Sequence, residues 1–134
     1  MKRTIKVLVA MCLVVLLCGG TALAALPRIV GTNSSERING TKNAEEIRGL
    51  EGSDEISDGL GADSVYGGIG GDNLIGTASD TSVDRFYGGS GEDIFQSRDV
   101  PAVKDMVSCG PDTDTVYADK ADVVGGDCEQ VKAW

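Results

Sequence analysis

Histidine is missing from this chain altogether, and that absence closes off a good deal of chemistry. No His-based acid–base relay or Ser–His pair can be assembled. No Gly-x-Ser-x-Gly elbow presents a nucleophile either. Zinc loses its commonest nitrogen donor. Basic residues are scarce, 12 against 21 acidic ones, so nucleic acid and anionic membrane surfaces would repel the chain. Aromatics are few. Tyr66, Tyr87 and Trp134 are expected to project outward or lie terminal, without forming an aromatic row for sugar or nucleic-acid stacking. Long apolar runs are absent except from Val7 to Cys18, a stretch too short to cross a bilayer.

That stretch follows a basic start, Met1-Lys2-Arg3 with Lys6, and precedes the small-residue pattern Ala22-Leu23-Ala24. It reads as a secretory signal peptide over residues 1–24. Lipid attachment at Cys18 is the alternative, and the bulky Leu17 before it argues against that. The segment carries three of the twelve basic residues and none of the acidic ones, which leaves nine against 21. The expected location is secreted, free or at the cell surface, with no stable membrane insertion. Two cysteines remain, Cys109 and Cys128. Outside the cell they are expected to form one disulfide, worth roughly 3 kcal/mol on a loop-entropy argument.

What the chain does have is a period. Steps of nine from Ile29 reach Ile38, Ile47, Ile56, Val65 and Leu74, and two positions before the last five stand Glu36, Glu45, Asp54, Asp63 and Asp72. After Leu74 the register slips by three, to Asp84 and Phe86, and nine more reach Asp93 and Phe95. A second slip of three leads to Asp105 and Val107, and another nine to Asp114 and Val116. An irregular last unit carries Asp122 and Val124. Nonapeptide periods belong to solenoids.

Three residues such as Asn73-Leu74-Ile75 make a short strand with its middle side chain inward. The Gly-rich hexad before it is a turn. Two nonapeptides complete a turn of eighteen residues, so Asp54 lies over Asp72 on one edge and Glu45 over Asp63 on the other. The inward ladder is thin and the stacked carboxylates repel, so the fold needs another source of stability. A hard cation between turns supplies it. Ca²⁺ takes six to eight oxygens and readily combines Asp carboxylates with backbone carbonyls, whereas Mg²⁺ prefers octahedral geometry and keeps its waters. Several Ca²⁺ ions are the expected cofactor.

The units Gly67-Gly68-Ile69-Gly70-Gly71-Asp72-Asn73-Leu74-Ile75 and Gly88-Gly89-Ser90-Gly91-Glu92-Asp93-Ile94-Phe95 resemble those of the RTX (haemolysin-type) secreted proteins. Nonapeptides of that family read Gly-Gly-x-Gly-x-Asp-x-(large apolar)-x. The resemblance implies an all-β, right-handed parallel β-roll (β-solenoid) over residues 25–96, with Ca²⁺ held between turns by the repeat Asp and turn carbonyls. The Asp role falls on Asp54, Asp63, Asp72, Asp84, Asp93 and Asp114, and the turn glycines include Gly70 and Gly91. Val107-Ser108-Cys109-Gly110 through Asp127-Cys128-Glu129-Gln130-Val131 is similar to the cysteine-bracketed end of small secreted actinobacterial calcium-binding proteins. Residues 97–134 are thus expected to form a final repeat and a disulfide-linked cap.

Several departures from the pattern set further expectations. Glu36 and Glu45 replace Asp, and Asn43 stands where a later unit has Gly70, so the first turns read as a cap. The unit ending at Phe86 has lost its glycines, and Asp80-Thr81-Ser82 should bulge its turn. The two slips mark where the stack is expected to fail. Glu46, Glu51, Glu55, Asp99, Asp105, Asp119 and Glu129 are expected on solvated faces. The leading reading of function is a secreted, non-enzymatic Ca²⁺ binder. Two alternatives are a calcium-stabilised adhesin-like surface module with a protein partner, and a folding or secretion module related to RTX enzymes.

Overall fold

The computed structural model describes residues 24–134, so the signal peptide expected over residues 1–24 lies, but for Ala24, outside the described residues. Every regular element among them is a strand: β1 (Arg28–Val30), β2 (Arg37–Asn39), β3 (Glu46–Glu51), β4 (Glu55–Ser57), β5 (Ser64–Ile69), β6 (Asn73–Ile75), β7 (Arg85–Ser90), β8 (Ile94–Ser97), β9 (Met106–Ser108), β10 (Thr115–Ala118), β11 (Val123–Val124) and β12 (Gln130–Ala133). Odd-numbered strands from β1 to β11 make one six-stranded sheet in order, and even-numbered strands from β2 to β12 make the other. All pairs are parallel, as in β3 with β5, where Ile47 faces Val65. The chain is a parallel β-solenoid of about six turns.

Period-two alternation places one side chain per strand inside. Ile38, Ile47, Ile56, Val65, Leu74, Phe86, Phe95, Val107 and Val116 are buried in a single column between the sheets, with Ile29 and Val124 packed at its ends. One apolar residue per half-turn is a narrow core, and the space flanking it is lined by carboxylates.

The slips do not break the stack. Val65 pairs with Phe86 and Leu74 with Phe95, each 21 residues on, and Phe86 and Phe95 pair with Val107 and Val116 at the same spacing. Both sets of extra residues lie in crossings from the second sheet back to the first, after β6 and after β8. Being one full turn apart, these longer loops stack on each other, and Val100 N–H donates to the Ala78 carbonyl at 2.8 Å. The opposite edge keeps the nine-residue step between inward side chains from Ile29 to Val116 and shortens only in the last crossing, from Val124 to Val131. The expected failure at the slips does not occur, because both fall on one edge and simply lengthen the turn to 21 residues.

Outside the sheets the same register makes contacts that the sequence reading did not anticipate. Tyr66 and Tyr87 stack with centroids 4.7 Å apart and planes 9° apart, and Arg48 lies over Tyr66 at 5.1 Å. Tyr117 meets Trp134 edge-on, with Arg98 over both rings. These aromatic faces are occupied by one another and by guanidinium groups.

At the C-terminal end β11 and β12 cover β9 and β10. Cys109 and Cys128 are joined in a disulfide with a Cα–Cα distance of 5.3 Å. Cys109 takes the turn position that Gly67 and Gly88 hold in earlier turns, so the bond fastens the last crossing to the regular stack.

Candidate metal centre

Two rows of carboxylates run along the two edges of the solenoid, held by one repeated interaction. On the first edge, the N–H groups of Glu36, Asp54, Asp72 and Asp93 donate to Oδ1 of Asp54, Asp72, Asp93 and Asp114 at 2.8–2.9 Å. On the second edge, Glu45, Asp63 and Asp84 donate to Oδ1 of Asp63, Asp84 and Asp105 at 2.7–2.8 Å. Asp105 N–H continues the row to Asp122 at 3.0 Å. Each aspartate thus spends one oxygen binding the preceding turn's backbone. The rows cross both slips, so Asp63 pairs with Asp84 and Asp72 with Asp93.

The second oxygen is the informative one. Oδ2 of Asp54, Asp58, Asp63, Asp72, Asp93 and Asp114 is buried without any hydrogen-bond partner. Leaving a charged acceptor unpaired in the interior costs several kcal/mol unless something compensates. Basic side chains do not: the ion pairs among the described residues are Arg28–Glu46, Arg37–Glu55 and Arg48–Glu46, on the outer surface. Eleven aspartates are buried, with no cationic side chain paired to any of them among the described residues.

Burial therefore acts on their protonation. It pushes Asp58, Asp63 and Asp93 up to about 7, with neighbouring carboxylate charge adding to the rise and hydrogen bonds opposing it. Asp72 and Asp84 are pushed to about 6 in the same way. Asp54 and Asp114 are also raised, chiefly by burial. A cation drawn into either row would displace protons as well as satisfy oxygens.

Glycine shapes the space around these oxygens. A Cβ on Gly49 would lie 2.5 Å from both Asp54 Oδ2 and the Gly67 carbonyl oxygen. The same clash would arise at Gly67 with Asp72 Oδ2 and the Gly88 carbonyl, and at Gly88 with Asp93 Oδ2 and the Cys109 carbonyl. Glycine at the first turn position thus leaves a gap bordered by a carboxylate of one turn and a carbonyl of the next. Gly70 and Gly91 occupy the fourth position with φ of +132° and +126°, and a Cβ on Gly91 would strike the Gly70 carbonyl oxygen. Buried anionic oxygens beside carbonyls, without nitrogen or sulfur donors, suit a hard cation.

The first turns differ. Glu45 folds back to accept from Thr41 N–H at 2.8 Å and from the Thr41 hydroxyl, and Glu36 accepts from Thr32 N–H. The longer side chain satisfies its own turn, so neither Glu leaves an unpaired buried oxygen.

Other residues move against expectation. Asp99, Asp105 and Asp119 are not on a solvated face but buried. Asp99 and Asp105 lie in the second long crossing, stacked on the first, and Asp119 lies in the crossing after β10, where its Oδ2 accepts from Asp99 N–H at 3.4 Å. Burial, with neighbouring carboxylate charge, pushes Asp99 up to about 6 and Asp105 up to about 7. Asp112 stands at a glycine position with φ +89° and accepts from Gly91 N–H at 3.1 Å. Asp80 is buried in the expected bulge and accepts from Gly61, Thr81 and Ser82 N–H groups.

Asp58 escaped the sequence reading. It lies at the first position of its turn, where Gly31, Gly40, Gly49, Gly67 and Gly88 stand elsewhere; an acidic residue at a glycine position was the available signal. Asp58, Asp63 and Asp84 each offer a carboxylate oxygen, and the three atoms lie within 4.8 Å of one another. Comparison with protein-family models, with curated proteins and with solved structures finds no match to the chain.

Proposed function

We propose that this protein is a secreted calcium-binding β-solenoid of RTX type, in which Ca²⁺ lies between successive turns and stabilises the fold. The observation that carries the reading is the row of buried Oδ2 atoms without partners, each on an aspartate whose Oδ1 already holds the neighbouring turn. Asp54, Asp72, Asp93 and Asp114 would supply carboxylates on one edge, and Asp63 and Asp84 on the other. Turn carbonyls, including those of Gly70 and Gly91, would complete the shell. Ca²⁺ suits this mixed oxygen set better than Mg²⁺, which demands closer, octahedral ligands. Zn²⁺ finds no His, and the two C-terminal cysteines are in the disulfide.

Calorimetric titration of the oxidised protein with Ca²⁺, Mg²⁺ and Zn²⁺ tests this. Several Ca²⁺ ions are expected, with weak or absent binding of the other two. Asp72→Ala should lower the Ca²⁺ count, while Glu51→Ala, on an exposed carboxylate, should leave it unchanged. Equal counts in the two variants would contradict the row assignment.

A further inference from the structure

We infer that Asp58, which lies outside the acidic positions of the repeat, joins the row aspartates Asp63 and Asp84 in a three-carboxylate cation site that binds the first divalent ion and clamps the long loop 76–84 onto turn 58–63. The inference rests on the calcium reading for the choice of ion and shares Asp63 and Asp84 with it, but the third carboxylate, Asp58, and the convergence of the three are its own.

Three observations lead to it. First, the oxygens are close enough to share one ion. Two ligands of a single Ca²⁺ at 2.3–2.6 Å are separated by at most about 5 Å, and all three oxygens fall within 4.8 Å of one another. Second, the site is buried and two of its three carboxylates each carry an unpaired oxygen. Asp58 and Asp63 are fully buried and Asp84 is 2% exposed, while Oδ2 of Asp58 and of Asp63 have no partner. Third, hydrogen bonds aim the carboxylates. Asp58 Oδ1 accepts from Thr77 N–H at 2.9 Å, Asp63 Oδ1 from Glu45 N–H and Asp84 Oδ1 from Asp63 N–H, both at 2.7 Å. Gly76, with no side chain, leaves room beside Asp58 Oδ2.

Charge sets this site apart. Elsewhere a row position offers one carboxylate beside carbonyls, whereas here Asp58 brings a third carboxylate to two row aspartates in the interior without a basic partner. Their attraction for a divalent ion, and their repulsion without one, should both exceed those of any row position. Asp80 fits the role of strut, because its carboxylate is used up by backbone N–H groups of Gly61, Thr81 and Ser82. It holds the loop near the turn without competing for the ion.

The test compares Ca²⁺ titrations of the wild-type protein and Asp58→Asn, which retains an acceptor for Thr77 N–H. The variant should bind one ion fewer and lose the tightest class, its first-ion affinity falling 100-fold or more, with the remaining ions within about twofold. Unchanged number and first-ion affinity would overturn the inference while leaving the row reading standing. A wild type that binds a single ion, lost in the variant, would support the inference and sink the row reading. Wild type binding none would sink both. Hydrogen exchange of the wild type with one equivalent of Ca²⁺ gives a check independent of any variant. Protection should appear first in residues 58–63 and 76–84; first protection in residues 67–72 and 88–93 would overturn the inference.

Discussion

At the residue scale, the positions that decide this fold are those where one atom more cannot be placed. Gly68, Gly89 and Gly110 stack with positive φ in successive turns, and Leu50 heads the column with φ +91°. A non-glycine residue held there costs of order 1–3 kcal/mol, and Leu50 keeps a half-exposed side chain in return. Leu50→Gly should therefore stabilise the protein by about 1 kcal/mol, read as a higher urea midpoint in Ca²⁺; a lower midpoint would show that packing of the leucine outweighs the strain. The apolar ladder was fully legible from the sequence, because one inward residue in nine leaves an unmistakable period. The repeat aspartates were legible as positions, two residues before each apolar one. Asp58 was not, since it occupies a glycine position, and only the folded turn shows that its carboxylate meets those of Asp63 and Asp84.

The element scale is where sequence and structure part most clearly. A slip of three residues, read along the chain, looks like damage to a repeat. Two slips separated by one full turn fall on the same edge, and their loops stack as regularly as the short turns opposite. Burial of Asp99 and Asp105 follows from that stacking, and Asp119 is buried against them from the crossing after β10; nothing local to those residues announces it. The C-terminal cap was legible because a cysteine pair brackets it. Cys109 and Cys128 are 19 residues apart, and a loop of that size implies about 3 kcal/mol of stabilisation. Cys128→Ser should lower unfolding stability by about that amount in denaturant melts. It should also speed amide exchange in β9 to β12 before it affects β3 to β5. Equal acceleration in both regions would mean that the cap is not a separable element.

For the whole molecule, the balance lies between a narrow apolar column and the buried acidic rows flanking it. With Ca²⁺ chelated, the raised carboxylates make the folded state hold protons that the unfolded state releases at lower pH. Stability from this source is fully present below about pH 4, near the ordinary carboxylate value, and is lost as pH rises to about 7, the folded value of Asp58, Asp63 and Asp93. The chelated protein should therefore melt at progressively lower temperature between pH 4 and 7, and a flat profile would contradict the buried acidic interior. Saturating Ca²⁺ should reverse that trend, because an ion bound only by the folded form adds about 2.7 kcal/mol per site at a hundredfold excess over Kd. The most direct test is thermal unfolding of the oxidised protein at pH 7.5 in chelator and in millimolar Ca²⁺, followed by circular dichroism. The account predicts a strand signal that strengthens with Ca²⁺ and a Tm at least about 10 °C higher. An identical spectrum and Tm in the two conditions would contradict it.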